Sequence, residues 1–202
     1  PDKDWERAWM DDFKPQRFGE RLWICPTWST PPEPDAVNLM LDPGLAFGTG
    51  THPTTSLCLT WLEQADLHNK SIIDYGCGSG ILSLAALKLD AKHVLAVDID
   101  NQALQATQNN ALSNNINEDL LTITLPDALQ DPVDLIIANI LLAPLISLKH
   151  RFHQLLHPNA QLVVSGLLEE QAPVLIEEYE SIFTPVTTKT QDGWALLVFV
   201  RI

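Results

Sequence analysis

Cysteine is scarce in this chain of 202 residues: Cys25, Cys58 and Cys77 are odd in number, far apart and form no C-x-x-C pair. Neither a disulfide framework nor a zinc knuckle follows from such spacing, and a reducing cytoplasm is the expected setting. Long apolar runs are missing too. None approaches the roughly 20 residues that cross a bilayer, and Pro1 to Trp5 shows no signal-peptide pattern, so no membrane role is expected. Positive charge is the third shortage. With Lys and Arg numbering 12 against 26 Asp and Glu, the net charge is −14. That balance disfavours direct nucleic-acid binding and favours basic protein segments or cationic small molecules; plain solubility is the alternative reading.

What is present suits one α/β domain with a small extension, since 46% of the residues are hydrophobic. Residues 1–40 hold Trp5, Trp9, Trp23 and Trp28, with Pro26, Pro31, Pro32 and Pro34 breaking the second half. They read as an ordered lead-in: an amphipathic helix over Asp4 to Phe13, a strand over Arg21 to Cys25 and another over Ala36 to Leu41. Asp42 to Thr55 is a loop dense in Gly, Pro and Thr, costly to order unless it has a job, and a helix follows to about Asp66. Strands are then predicted at Ser71 to Asp74, Val94 to Val97, Leu121 to Leu125, Val133 to Ala138 and Gln161 to Ser165. Helices are predicted at Ile81 to Leu89, Asn101 to Asn114, Leu142 to Leu156 and Glu169 to Tyr179. Such alternation implies a mainly parallel sheet covered on both faces. Asp192-Gly193 is a turn signal that pairs 185–190 with 195–200 as an antiparallel hairpin.

The chain is organised around Ser71-Ile-Ile-Asp-Tyr-Gly-Cys-Gly-Ser-Gly80, an apolar run that opens onto three glycines and then a helix. Three glycines in five residues permit positive φ and a close backbone approach to a ligand. A dinucleotide fingerprint would need its third glycine where Ile81 stands, and no Gly-Lys-Ser/Thr triplet marks a phosphate loop. The loop therefore suits a cofactor without a pyrophosphate. Leu95-Ala-Val-Asp98 supplies a carboxylate at the tip of the next strand, 22 residues past Gly76. Asp98 can accept hydrogen bonds from both ribose hydroxyls of an adenosine, and Ile99 can wall the adenine. A helix-capping role for Asp98 is the alternative, although Asp100 or Asn101 fills that role better.

These motifs resemble the class I S-adenosylmethionine-dependent methyltransferases, whose Rossmann-like sheet has seven strands and ends in an antiparallel hairpin. The loop Leu41-Asp-Pro-Gly-Leu-Ala-Phe-Gly-Thr-Gly-Thr-His-Pro-Thr-Thr55, with Asn139-Ile-Leu-Leu142, is more narrowly similar to the PrmA family of ribosomal protein L11 methyltransferases. The resemblance spans nearly the whole chain, with 41–202 as the catalytic domain and 1–40 as lead-in or linker. A substrate-gripping N-terminal domain carried by that family is expected to lie outside these residues.

By resemblance, Thr55, Gly76, Asp98 and Asn139 contact S-adenosylmethionine, Phe47, Gly48, Thr49 and Thr51 belong to the loop that covers it, and Gly78 and Gly80 complete the glycine turn. Asp74 would reach the methionine amino end through water. Asp127 and Ala128 match the position that faces adenine, with capping as the alternative for Asp127. Asn139 is the expected catalytic residue, accepting hydrogen bonds from the target amine; its alternative is a helix N-cap. Related amino-methylating enzymes carry Asn-Pro-Pro-Tyr there, and Ile140-Leu141-Leu142 in its place suits a flexible aliphatic amine over a flat one. No general base stands in the motifs. His52 is expected to organise its loop or line the cofactor rather than act as a base. His150, His153 and His157 are spaced along a helix, yet without a carboxylate or Cys motif no metal site is expected.

The implied activity is methyl transfer to lysine and N-terminal amines of a large-subunit ribosomal protein, by a monomeric cytoplasmic enzyme. Two alternatives stay open: a methyltransferase for another protein, RNA or a small-molecule amine, and a non-catalytic S-adenosylmethionine-binding module.

Overall fold

Ile72 and Ile73 point to opposite faces of one strand, and both are fully buried. The same alternation recurs along the sheet. Leu135, Ile137, Val163, Leu196 and Val198 pack into one cluster, while Ile136, Ala138, Leu162, Val164, Leu197 and Phe199 pack into another. A sheet buried on both faces must carry helices on both, and this one does.

A computed structural model describes residues 13–41 and 51–202. The helix predicted over Asp4 to Phe13, apart from Phe13 itself, and the loop residues Phe47, Gly48 and Thr49 lie outside the described residues. A small sheet comes first: β1 (Gln16–Phe18), β2 (Leu22–Pro26) and β3 (Val37–Leu41), with β1 antiparallel to β2 and β2 parallel to β3. The main elements follow as α1 (Pro53–Gln64), β4 (Ser71–Tyr75), α2 (Ile81–Lys88), β5 (His93–Val97), α3 (Asn101–Ser113) and β6 (Leu121–Thr124). After them come β7 (Val133–Asn139), α4 (Leu142–Ser147), α5 (Lys149–Gln154), β8 (Leu156–Leu168), α6 (Ala172–Tyr179), β9 (Phe183–Gln191) and β10 (Trp194–Arg201).

The seven-stranded sheet runs β6-β5-β4-β7-β8-β10-β9. It is parallel from β6 to β8, and β10 is antiparallel to both β8 and β9. The hairpin turn falls at Asp192 and Gly193, both with positive φ (50° and 80°), as a type I′ turn requires. The expected sheet and its hairpin are thus present. Among the described residues no helix is long and apolar enough to cross a membrane.

Two predicted helices differ in detail. The one expected over Leu142 to Leu156 is two short helices that meet at Leu148 (φ −87°, ψ 0°), and β8 begins at Leu156. Ser147 Oγ bonds back to the Pro144 carbonyl at 3.0 Å, a local competition that bends helices. The helix expected from Glu169 opens as a 3-10 turn over Glu169–Gln171, and α6 proper starts at Ala172.

The small sheet shares the core of the larger one. Phe18, Leu22, Ile24, Leu39 and Leu41 join Leu57, Leu59 and Leu62 of α1 and Leu82 and Leu84 of α2 in one buried cluster. Asn114, just past α3, seals the junction: Met40 N donates to its Oδ1 at 2.7 Å, and its Nδ2 donates to Met40 O at 2.6 Å. A side-chain amide here pairs with the backbone of β3 as a neighbouring strand would. On the other face of the main sheet, Tyr179 stacks on Phe183 at 5.4 Å and donates its hydroxyl proton to the Leu145 carbonyl at 2.6 Å.

Candidate functional site

Parallel strands β4, β5 and β7 deliver Asp74, Asp98 and Asn139 to one edge of the sheet, the carboxyl edge where open α/β sheets place ligands. The turn after β4 is tied down on every side. Gly76 N and Cys77 N both donate to the Val97 carbonyl, at 2.7 and 2.9 Å, and Gly80 N donates to Cys77 O at 2.8 Å. Gly78 N donates to Asp98 Oδ2 at 3.0 Å. With these four amides spent inside the protein, they offer no nest for a pyrophosphate.

All three glycines of the turn have positive φ, at 82°, 55° and 82°. Two of them also make room for named neighbours. A Cβ on Gly80 would lie 2.8 Å from Thr107 Cγ2, and one on Gly76 would lie 2.5 Å from Ile140 Cγ2. Behind the turn, α3 supplies Thr107, whose hydroxyl donates to Gly78 O at 3.1 Å, and Asn110, whose amide donates to Ser79 O at 2.8 Å. The Cys77 thiol meets the Thr107 hydroxyl at 3.4 Å, and burial pushes that thiol far above its usual range, which makes it a poor nucleophile.

Asp74 is 1% exposed. Its Oδ2 accepts from Ser83 N at 3.0 Å and Ser83 Oγ at 2.6 Å, so the carboxylate caps α2 from the neighbouring strand, where Gly80 has no side chain to do so. Its Oδ1 is buried with no hydrogen-bond partner among the described residues. Burial, opposed by the two Ser83 bonds and helped by a smaller push from the Asp98 charge, leaves the carboxyl raised to about 6. A buried acceptor lacking a donor at the mouth of a glycine turn fits an incoming ammonium or water.

Asp98 Oδ1 accepts from Asp100 N at 3.0 Å, and Asp100 in turn caps α3 through Gln102 N at 2.9 Å. Asp98 is therefore not the cap of that helix. Ile99 beside it is 84% exposed, and Asp127 and Ala128 are exposed within a 3-10 turn on the same side. Asn139 Nδ2 donates to Thr55 Oγ1 of α1 at 3.4 Å, and the N-cap of α4 is Leu141, without a side-chain cap bond. Asn139 thus does not serve α4 as its cap. His52 caps α1: its Nδ1 accepts from Thr54 N at 3.3 Å and meets Thr54 Oγ1 at 2.8 Å, while its ring lies edge-on to Trp194 at 4.7 Å. Thr51 is exposed immediately before it. His153 Nε2 accepts from Arg201 Nε at 3.2 Å and packs on Phe183, away from this edge.

Several residues of the site carry no motif. Ser83, Thr107 and Asn110 act on the turn from helices, and the signal that could have found them is polarity at buried helix positions. Ile140 gives no signal of its own, but Gly166 does, as a glycine inside a strand.

The residues present fit an adenosyl cofactor that carries an amino group. Asp98 holds Gly78 N and Asp100 N with one lone pair of each oxygen and keeps the others for a ribose at the strand tip, Asp74 Oδ1 has no donor among the described residues, and the turn carries no phosphate nest.

Comparison with known proteins bears on the same point. The family described as ribosomal protein L11 methyltransferase (PrmA) matches residues 1–202. The ribosomal protein L11 methyltransferase of Legionella pneumophila (strain Corby) is 78% identical over 198 residues, covering 98% of this chain and 68% of that protein. The one from Azotobacter vinelandii is 52% identical over 201 residues, covering 99% and 69%. Among solved structures, a ribosomal protein L11 methylase from Lactobacillus delbrueckii subsp. bulgaricus superposes with a TM-score of 0.85 at 33% identity, covering 94% of this chain and 99% of that one. A putative methyltransferase complexed with SAH, at 12% identity and a TM-score of 0.63, covers 75% of this chain and 50% of its own, and shares the fold alone.

Proposed function

Because this chain belongs to the ribosomal protein L11 methyltransferase (PrmA) family, we propose that it methylates lysine side-chain and N-terminal amines of ribosomal protein L11 with S-adenosylmethionine, as a monomeric cytoplasmic enzyme. The observation that carries the reading is the placement of Asn139. Its amide nitrogen faces Thr55, which leaves Oδ1 to accept a proton-bearing nitrogen beside the glycine turn.

When bound, S-adenosylmethionine supplies a methyl group already activated by its sulfonium. The chain's own residues then have to bind, orient and desolvate. Asp98 would accept the ribose hydroxyls while it keeps Gly78 in place, and Asp74 Oδ1 would receive the amino group through water. Thr51, with Phe47 to Thr49, is assigned to the cover of the site, Thr55 to contact with the cofactor, and Ile99, Asp127 and Ala128 to the adenine side.

Asn139 Oδ1 holds the acceptor as a neutral amine in line with the transferring methyl, a matter of positioning more than of proton transfer. A lysine amine has a reference pKa of about 10.4, so its proton leaves to water before the nitrogen attacks. Asn139 Oδ1 would keep its hold on that nitrogen while the cofactor supplies the methyl group, and the surplus proton of the methylated amine would pass to solvent.

The test is mass spectrometry of ribosomal protein L11 after incubation with isotopically labelled cofactor. The full-length enzyme is the proper reagent, since the chain spans 68% of its Legionella relative. Labelled methyl groups on L11 amines are the expected result; an unlabelled L11 beside a labelled RNA or small amine would replace the proposed substrate.

A further inference from the structure

We propose that Ile140 is a positioning residue, a key seated between two glycines that fixes the height of Asn139 above the cofactor turn. Ile140 follows Asn139 at the end of β7, and its amide donates to the Ser165 carbonyl of β8 at 3.1 Å. Ser165 is itself fully buried, and its hydroxyl donates to Ala195 O of β10 at 2.7 Å. Three strands thus clamp this point.

The side chain of Ile140 turns back toward β4. Its Cγ2 fills the space that a Cβ on Gly76 would need, with a separation of 2.5 Å. The backbone of Ile140 lies across Gly166 on β8, where a Cβ would come within 2.8 Å of the Ile140 nitrogen and 2.7 Å of its carbonyl carbon. Gly76 and Gly166 both have positive φ, at 82° and 90°, so each position also favours glycine through its backbone. A turn glycine after β4 and a strand glycine of β8, on either side of β7, therefore both give up a side chain to the same residue.

The consequence is a rigid spacing between the cofactor turn and the amide that holds the acceptor. Without the key, the backbone of Asn139 would still be paired with Ser165, but its carboxamide would be fixed only by one long bond to Thr55. With it, the Asn139 carboxamide and the turn at Gly76 move as one body, as an in-line displacement requires. This role rests on the reading of Asn139 as the acceptor-holding residue. Ile140 touches neither reactant in it.

The test compares Ile140→Ala, Ile140→Val, Gly76→Ala, Gly166→Ala and the pairs Gly76→Ala/Ile140→Ala and Gly166→Ala/Ile140→Ala in the full-length enzyme. Ribosomal protein L11 is the acceptor, and S-adenosylhomocysteine is the probe for cofactor affinity. Ile140→Ala should lower kcat by about 100-fold, with KM for L11 and S-adenosylhomocysteine affinity within about threefold of the parent. Ile140→Val keeps Cγ2 and should restore most of kcat. Ile140→Ala should also relieve part of the Gly76→Ala defect, because that clash is with a side chain. It should not relieve Gly166→Ala, whose clash is with backbone.

The key is overturned if Ile140→Ala keeps the parent kcat, or if Val and Ala variants lose kcat equally. Asn139→Ala is run beside them: full activity there removes the acceptor reading, whereas an inactive Asn139→Ala with a fully active Ile140→Ala removes the key alone. If the Gly166 variant does not fold, the Ile140 series decides.

Discussion

Asn139 on β7 and Thr55 on α1 are joined by a hydrogen bond of 3.4 Å, with the amide nitrogen donating and the hydroxyl oxygen accepting. The bond is long, yet it crosses from sheet to helix and decides which end of the amide faces the open edge. Thr55→Val keeps the shape of the side chain and removes the acceptor. Methyl transfer should fall by about 3- to 10-fold, the worth of one ordinary hydrogen bond. Thr55→Ser should retain the parent rate, and Asn139→Ala should lose about 100-fold or more. Steady-state kinetics with L11 as acceptor checks all three; an unaffected Asn139→Ala removes that residue from the reaction.

Asp74 gives a pH signature with a definite sign. Its folded carboxyl titrates at about 6, pushed up by burial against the pull of Ser83, while an unfolded Asp titrates near 3.9. The folded protein holds the proton more tightly. The resulting stabilisation is fully present below about pH 4 and is lost as the pH rises through about 6. Relative to Asp74→Asn, the parent should therefore lose on the order of 3 kcal/mol between those limits, measured by denaturant unfolding across pH. An ammonium group arriving at Oδ1 favours the ionised form, so S-adenosylhomocysteine affinity should rise over the same range and stay flat in Asp74→Asn. Parallel profiles for the two proteins would contradict this account.

Asp98 has two duties that one substitution separates from the rest of the fold. Asp98→Ala frees Gly78 N and removes a charged acceptor at the strand tip. Calorimetry with S-adenosylhomocysteine should show an affinity loss of about 10- to 100-fold, since hydrogen bonds to charged groups contribute about 1.5–3 kcal/mol. The thermal midpoint should fall by only a few degrees, because Asp98 is partly exposed and water can reach the two amides it releases. A large fall in midpoint with unchanged affinity would assign Asp98 to structure.

Asn114 makes the complementary case, a buried polar residue far from the reaction. Asn114→Ala strands Met40 N and O, each of which it now satisfies. Two lost bonds at a part-buried strand should cost about 2–4 kcal/mol and lower the melting temperature by about 5–15 °C. S-adenosylhomocysteine affinity at temperatures well below the transition should be unchanged.

His52 is predicted to matter as a cap. Removing it costs the bond to Thr54 N and the edge contact with Trp194, so His52→Ala should destabilise the protein by about 1–2 kcal/mol. His52→Asn, which caps equally well, should recover most of that loss. Methyl transfer that follows stability and not the imidazole across the two variants is the expected kinetic result.

Much of the sheet was legible because its strands are apolar runs punctuated by glycine and Asx turns, and the Asp192-Gly193 signal matched its hairpin. β1 was not, since Gln16–Phe18 is three residues long and mostly polar, and it is a strand only because β2 lies beside it. The division of Leu142 to Leu156 at Leu148 turns on a hydroxyl bonding back to a carbonyl three residues away, which apolar periodicity does not register. At the site, Asp74 and Asn139 drew their expected roles from the family resemblance, while Asp98 was readable as a strand-tip carboxylate from its spacing to Gly76. The supports were not. Thr107, Asn110 and Ile140 matter for where they meet the glycine turn, and those meetings join residues 27 to 64 positions apart. The glycines themselves were visible, but the reason for two of them, a methyl of Thr107 at Gly80 and a methyl of Ile140 at Gly76, belongs to the folded chain.

The hairpin order β8-β10-β9 has a bearing on how the molecule is made. Synthesis delivers β9 before β10, yet in the sheet β10 separates β9 from β8. Without β10, β9 has no strand partner among the described residues and one edge of β8 has no cover, so β9 enters the sheet only through β10. Leu196, Leu197, Val198 and Phe199 therefore join β9 to the rest of the sheet, and a chain in which this strand failed to dock would offer two open strand edges to its own kind.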